Sequence, residues 1–251
     1  MHHINPTALF SGKATDYAKY RPSYPTEAIS FILEGFDRPS QLVAADIGAG
    51  TGIASRLLAE RGIRVIAIEP NVEMRQVAEP HPLVKHQEAT AAATHLPDAS
   101  VDLITCFQSF HWFDPSPTLL EFCRILKPSG RLVLVWGIWD ENDAFTRELD
   151  RLVLLASNNL PGLPNRESTI APLFESSYFD RVRQICFAYQ QQLDLAGLLG
   201  LAQSQGFVPH SGLKQQQLVT DLQKLYEQNA DSNGKVRVVY RTDVYLAELT
   251  S

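Results

Sequence analysis

The sequence predicts an α/β fold, a doubly wound and mostly parallel sheet with helices on both faces. Two observations carry this. Short, unbroken apolar runs alternate with helix-period segments between Leu42 and Trp136, and strands that are apolar on both faces occur where crossover helices cover a parallel sheet. Three glycines, Gly48, Gly50 and Gly52, also separate the first apolar run from the helical segment after it. That is the strand–turn–helix order of folds that hold nucleotide-like cofactors.

The elements follow in order. Thr26–Leu33 reads as a short helix with Ile29, Ile32 and Leu33 on one face, ending at Gly35. Leu42–Ile47 is a strand, Ile53–Arg61 a helix stopped by Gly62, and Ile63–Ile68 a buried strand closed by Glu69. Asn71 can cap a helix running to Ala78, because its side-chain oxygen can accept from the first free amides. Leu83–Gln87 and Val101–Phe107 are strands, and Pro117–Leu126 is a helix with Leu119, Phe122, Cys123 and Leu126 at helical spacing. Pro128–Gly130 is expected to turn, and Arg131–Trp136 is a long apolar strand. Beyond Trp139 the reading is a helix at Asp143–Ser157, a proline-bearing loop at Asn158–Pro172 and a strand at Val182–Gln192. Helices at Asp194–Ser204 and Leu213–Gln228 and a terminal strand at Lys235–Leu246 complete it.

A chain of 251 residues, 45% hydrophobic and 20% charged, is of globular composition and long enough for one elaborated domain or a domain with a lid. Its net charge of −6, without basic clusters, argues against a nucleic-acid backbone as main partner. Three cysteines, none at CxxC spacing, signal neither a disulfide framework nor a zinc site, and a reducing cytoplasm fits them. No apolar stretch approaches the ~20 residues a membrane span needs, so no membrane is expected. His86 and His95 lie in polar context and read as surface residues.

The segment Asp46–Gly52 reads Asp-Ile-Gly-Ala-Gly-Thr-Gly. Glycines let backbone amides approach a ligand, and a helix start behind them favours negative ligand charge. Glu69, closing the second strand, can accept two hydrogen bonds from a ribose diol. The constellation implies an adenosine-containing cofactor at the carboxyl ends of the strands. Dinucleotide fingerprints read GxGxxG and hold a pyrophosphate. Here the spacing is GxGxG and Asp46 stands before it, a carboxylate that repels a pyrophosphate and suits an ammonium.

On these residues the chain resembles class I S-adenosylmethionine-dependent methyltransferases of the type-11 methyltransferase-domain family. Ala45–Gly52, Glu69-Pro70-Asn71, Leu96–Ile104 and Glu121–Gly130 carry the resemblance, in that order. Tyr20–Pro25 and Phe110–Phe113 further resemble a trans-aconitate methyltransferase-like subgroup. The resemblance implies a seven-stranded, Rossmann-like sheet with a helical lid inserted after the fifth strand. It implies four segments: an N-terminal helical lid (1–40), the cofactor core (41–139), an acceptor-binding insertion with the sixth strand (140–232) and a closing strand (233–251). S-adenosyl-L-methionine is the implied cofactor and S-adenosyl-L-homocysteine the product.

By position, Asp46, Gly48, Ala49 and Gly50 would line the methionine part, Glu69 the ribose and Pro70 the adenine. Thr90, followed by Ala91, stands where many relatives carry an adenine-binding Asp. Phe107 and Gln108 would flank the sulfonium, while Tyr17 and Arg21 would fold over the cofactor. For the acceptor, His111 is the candidate general base, since histidine titrates near working pH. His111, Trp112 and Trp139 are the candidate pocket residues. The implied reaction is in-line methyl transfer to a small molecule, a carboxylate or hydroxyl oxygen being favoured. Two rivals stay open: an NAD-dependent oxidoreductase and a catalytically silent, cofactor-binding regulator.

Overall fold

A computed structural model of the chain describes residues 14–157, 166–209 and 211–250. The elements in chain order are α1 (Ala14–Tyr20), α2 (Thr26–Ile32), β1 (Val43–Ile47), α3 (Ile53–Ala59), β2 (Arg64–Ile68), α4 (Val72–Gln76), β3 (Val84–Gln87) and β4 (Val101–Phe107). They continue with α5 (Pro115–Ile125), β5 (Leu126–Trp139), α6 (Ala144–Ala156), α7 (Arg166–Phe174), β6 (Phe179–Leu193), α8 (Leu195–Gln203), α9 (Leu213–Asn229) and β7 (Val236–Leu249). The described residues form two compact units. A sheet unit holds 23–136, 166–187 and 242–250, and a helical unit holds 14–22, 137–157 and 188–241. β5, β6 and β7 contribute residues to both.

The seven strands lie in the order β3-β2-β1-β4-β5-β7-β6. β3, β2, β1, β4 and β5 are parallel neighbours. The chain moves outward from β1 to β3 and then returns to place β4 on the other side of β1. The connections leaving β1 and β4 therefore run to opposite sides, toward β2 and β5, and a sheet of this kind binds ligands in the crevice so formed. The expected doubly wound, mostly parallel seven-stranded sheet is the one observed.

Its register follows from burial. Ala44 and Ala45 pair with Val65 and Ile66 on one side and with Leu103 and Ile104 on the other. Ala44, Leu58, Leu103, Val133 and Val244 are fully buried in one cluster with Ile29 and Ile32 of α2. Removing a side chain such as Leu58 there costs about 2–5 kcal/mol, because the cavity left behind collapses only in part. The helical unit has its own core. Leu149, Leu152 and Val153 of α6 meet Leu198 and Leu201 of α8, Leu218 and Leu222 of α9, and Val236 and Val238. Asp143 and Asp194 cap α6 and α8, accepting from the amides of Thr146 and Gly197.

Three expectations are corrected. Pro128–Gly130 does not end the α5 connection as a separate turn. Leu126 already pairs with Val101, and Arg131 pairs with Leu103, so the intervening residues bulge out of β5. Residues 166–172 are helical: α7 tolerates Pro172 because Ile170 and Leu173 on either side are buried, and that packing outweighs one lost amide. The rest of that loop, 158–165, and the N-terminal 1–13 lie outside the described residues. His86 is half-buried, not a surface residue, with its Cε1 3.1 Å from where a Cβ on Gly52 would stand. Burial first, then Arg56 and Arg75, lowers its pKa. No helix among the described residues is long and apolar enough to cross a membrane.

Candidate functional site

β1 delivers Asp46 to the switch point, and its carboxylate is almost wholly buried. Asp46 Oδ2 accepts from Ser55 Oγ at 2.6 Å, and Oδ1 accepts from Thr105 Oγ1 at 2.8 Å. Thr105 is the β4 register partner of Asp46, and Ser55 lies on α3 just behind the turn. Burial pushes the Asp46 pKa up to about 6, against the two hydroxyl bonds, and the nearby Glu69 charge adds to the rise.

The turn after β1 is tight. Gly48 and Ala49 both donate their amides to Ile68 O, at 2.8 and 3.0 Å. Gly48 has φ +68, and a Cβ there would stand 2.6 Å from Ser109 Cβ. Ser109 cannot yield freely, because its hydroxyl donates to Ile47 O at 2.6 Å. Glycine is therefore required at 48 both by conformation and by space.

Glu69 closes β2 with its carboxylate buried. Oε2 accepts from Gly50 N–H at 2.9 Å and Oε1 from Asn71 N–H at 2.8 Å. Its pKa is raised, burial outweighing those amides and Arg75. Each oxygen has capacity for a further donor, so the side chain is aimed and held by backbone yet able to accept from a diol. Asn71 caps α4 as expected, its Oδ1 accepting from Glu73 and Met74 amides. Pro70 beside Glu69 is exposed.

β4 ends in Phe107, which is buried against the edge of Tyr24 with ring centroids 4.7 Å apart. Gln108 follows at φ +55 and donates its amide to Val135 O at 2.9 Å. A left-handed conformation at a residue other than glycine is uncommon and clusters at functional sites. Beyond it, Phe110–Trp112 forms a single 3-10 turn anchored by the buried Phe110. His111 Nδ1 accepts from Trp136 Nε1 at 3.2 Å, and the His111 ring lies 4.6 Å from that of Trp112.

The sheet unit thus brings Asp46, Gly48, Ala49, Gly50, Glu69, Phe107, Gln108, His111 and Trp112 to the carboxyl ends of its strands. Thr90 and Ala91 follow β3, where Thr90 exchanges backbone bonds with Ala93. Thr90 is exposed and Ala91 buried. Tyr17, Arg21 and Trp139 belong to the helical unit. There the Arg21 guanidinium stacks over Tyr17 at 4.7 Å and donates to Ser204 O and Gln205 Oε1.

Four residues were not singled out from sequence: Ser55, Thr105, Ser109 and Trp136. Thr105 offered a signal, being the hydroxyl within the apolar run Val101–Phe107. A polar group at a fully buried position of a strand implies a buried partner. Ser55 and Ser109 gave none, since serine is common in helices and turns.

Comparison with known proteins gives a consistent result. The sequence pattern of a family described as "Methyltransferase domain" matches residues 45–134. An uncharacterized methyltransferase of Mycobacterium tuberculosis is 39% identical over 145 residues, 57% of this chain and 58% of its own length. The match thus spans under two thirds of that relative. An uncharacterized methyltransferase of Schizosaccharomyces pombe is 30% identical over 197 residues, covering 78% of this chain and 77% of the relative. Among solved structures, a candidate type II methyltransferase from Anaeromyxobacter dehalogenans superposes with a TM-score of 0.68 at 23% identity, covering 91% of this chain and 98% of its own. A geranyl diphosphate C-methyltransferase of Streptomyces coelicolor, solved with S-adenosyl-L-homocysteine, reaches a TM-score of 0.50 at 12% identity, over 90% and 79% of the two chains. At these identities both structures speak for the fold.

Proposed function

The chain belongs to the methyltransferase-domain family, and from that premise we propose that it is an S-adenosylmethionine-dependent methyltransferase acting on a small molecule. One observation carries the cofactor reading. Two carboxylates, Asp46 and Glu69, are withdrawn from water at adjacent strand tips, and burial raises both their pKa values. Charge removed from water loses free energy unless it is paired. A ligand bearing an ammonium and a sulfonium restores that loss, and a pyrophosphate worsens it.

In this reading Glu69 accepts from the ribose hydroxyls with the lone pairs that Gly50 and Asn71 leave. Gly48–Gly50 give the methionine part close access to backbone, and Asp46 supplies the negative potential behind them. Pro70, Thr90 and Ala91 border the adenine side. Phe107 and Gln108 sit where the methyl is presented, and His111 with Trp112 faces the acceptor. When bound, S-adenosylmethionine supplies a methyl carbon already activated on sulfur, which departs as a neutral thioether while the acceptor's lone pair bonds to carbon. The protein's part is therefore alignment and exclusion of water. The acceptor atom proposed is a carboxylate or hydroxyl oxygen. The similar Streptomyces enzyme is named for carbon methylation, and its low identity carries no acceptor across.

Thermal unfolding tests the cofactor. At about 100 times its Kd, S-adenosylhomocysteine contributes ~2.7 kcal/mol, a rise of about 5–10 °C for a chain of this size. NAD at the same concentration leaves Tm unchanged. A shift with NAD alone overturns the reading in favour of an oxidoreductase. Transfer of a labelled methyl to any member of a panel of small carboxylates and hydroxyl compounds then separates an enzyme from a silent binder.

A further inference from the structure

We propose that His86, set with Arg56 and Arg75 behind the two cofactor turns, is a positioning residue: its neutral ring keeps both turns in the shape that binds, and a proton on it loosens them. Only the identity of the ligand rests on the methyltransferase reading; the arrangement does not.

The two turns are held alike from behind. Arg56 on α3 reaches back and donates from Nη1 to Thr51 O at 2.9 Å, inside the glycine turn. Arg75 on α4 donates from Nη1 to Glu69 O at 2.6 Å, at the end of β2. Each guanidinium is also paired with an acid, Arg56 with Glu79 and Arg75 with Glu88. The arginine side chains are mostly buried and the two acids mostly exposed, so water screens the acids far more than the cations.

His86 lies on β3 opposite Ala67 of β2. Its ring closes on the first turn. Cε1 stands 3.1 Å and Nε2 3.5 Å from where a Cβ on Gly52 would be, and Arg56 Nη1 stands 3.7 Å from the same point. The imidazole and the very nitrogen that holds Thr51 O thus flank one glycine, whose φ of +76 carries the chain into α3. Nothing larger than glycine fits there without displacing the ring.

The ring is built into surroundings that suit only its neutral form. Burial opposes a proton on it first, and then the charges of Arg56 from α3 and Arg75 from α4; Ala67 beside it carries none. Nδ1 is buried and has no hydrogen-bond partner among the described residues. A neutral imidazole can leave that nitrogen bare, whereas the cation carries a hydrogen on both. Protonation therefore aims a buried donor at nothing and adds a third positive charge to the two guanidiniums. Relief comes as the guanidiniums draw away, and each one that does so frees a carbonyl of a cofactor turn.

The test is an NMR pH titration of the His86 ring in the full chain, free and saturated with S-adenosylhomocysteine. That ligand's amino and carboxylate groups leave it without net charge, so it does not repel the ring directly. The chain has 7 histidines, and the signals lost in His86→Gln identify this one. If that variant does not fold, through-bond assignment of the unaltered protein takes its place. If a proton opposes binding, the ligand opposes the proton by the same factor. The free ring should titrate below the ordinary midpoint of about 6.5, and Arg56→Gln should raise its midpoint. Saturation should lower the midpoint by a further 0.5–1 or so in pH, about 3–10-fold weaker binding to the protonated form. A midpoint that the ligand leaves unmoved or raises overturns the proposal, as does a ring that stays neutral until the chain unfolds. Calorimetry on the same sample separates the two claims. No binding heat defeats the methyltransferase reading and the proposal with it, whereas binding with an unmoved midpoint defeats only the proposal.

Discussion

The tips of β1 and β2 and the tips of β4 and β5 belong to one sheet but are built from different chemistry. At the first pair the polar groups are carboxylates held by backbone amides and hydroxyls, and the space between them is set by glycine. At the second pair the groups are aromatic rings and one imidazole, held by packing and by hydrogen bonds that include the Trp136 indole bond to His111. The first geometry is fixed by hydrogen bonds to two buried carboxylates and by a turn with no room for a side chain. The second is fixed by the packing of rings.

The largest expected effect breaks the comparison at its most constrained point. Gly48→Val combines a left-handed backbone with a Cβ 2.6 Å from Ser109. Strain and overpacking of this kind cost about 2–6 kcal/mol together. Urea unfolding should show that loss, and a variant within about 1 kcal/mol of the parent would mean the turn is not tight.

Next comes Glu69→Gln, which keeps the shape and removes the charge. Charge-assisted bonds contribute about 1.5–3 kcal/mol each, so affinity for S-adenosylhomocysteine should fall about 10–150-fold. His111→Asn should leave that affinity within about threefold. Equal losses in the two variants would dissolve the distinction between the two pairs of tips.

A pH effect of intermediate size belongs to Asp46. Its folded pKa of about 6 lies above the ordinary 3.8. Its contribution to stability is therefore full below about 3.8 and lost as pH rises through about 6. The gap corresponds to ~3 kcal/mol. Asp46→Asn does not titrate, so the difference in unfolding free energy between parent and variant should move by about that amount between pH 3 and pH 8. A difference that stays constant across this range would place the carboxylate in water. The smallest effect is Thr90→Ala: one neutral hydrogen bond to the adenine, about 0.5–1.5 kcal/mol, or about 2–12-fold in affinity. No change would remove Thr90 from the site.

The same contrast explains what could be read without coordinates. β4 was legible to its ends, Val101–Phe107, because apolar residues dominate a long run with turn residues before it. Gly48, Gly50 and Glu69 were legible because the turn needs particular backbone freedom and the strand end a particular charge. The 127–130 bulge was not, since proline and glycine mark a turn and a bulge alike. α7 was hidden by Pro172, whose breaking tendency is local while the burial of Leu173 is tertiary. At the second pair of tips, His111 stood out by its chemistry, but the indole that bonds its Nδ1 did not, because Trp136 is distant in sequence and its aromatic ring reads as ordinary core.

The central claim is that two buried acids and a bare turn hold a cationic methyl donor. Isothermal titration of ligand-stripped protein with S-adenosylmethionine, run near pH 6 in two buffers of different ionisation enthalpy, tests it directly. The account predicts one-to-one binding with net proton release, because the ligand's ammonium and sulfonium charges draw the raised pKa of Asp46 downward. Heats no different from dilution, from a sample that unfolds cooperatively, would contradict it.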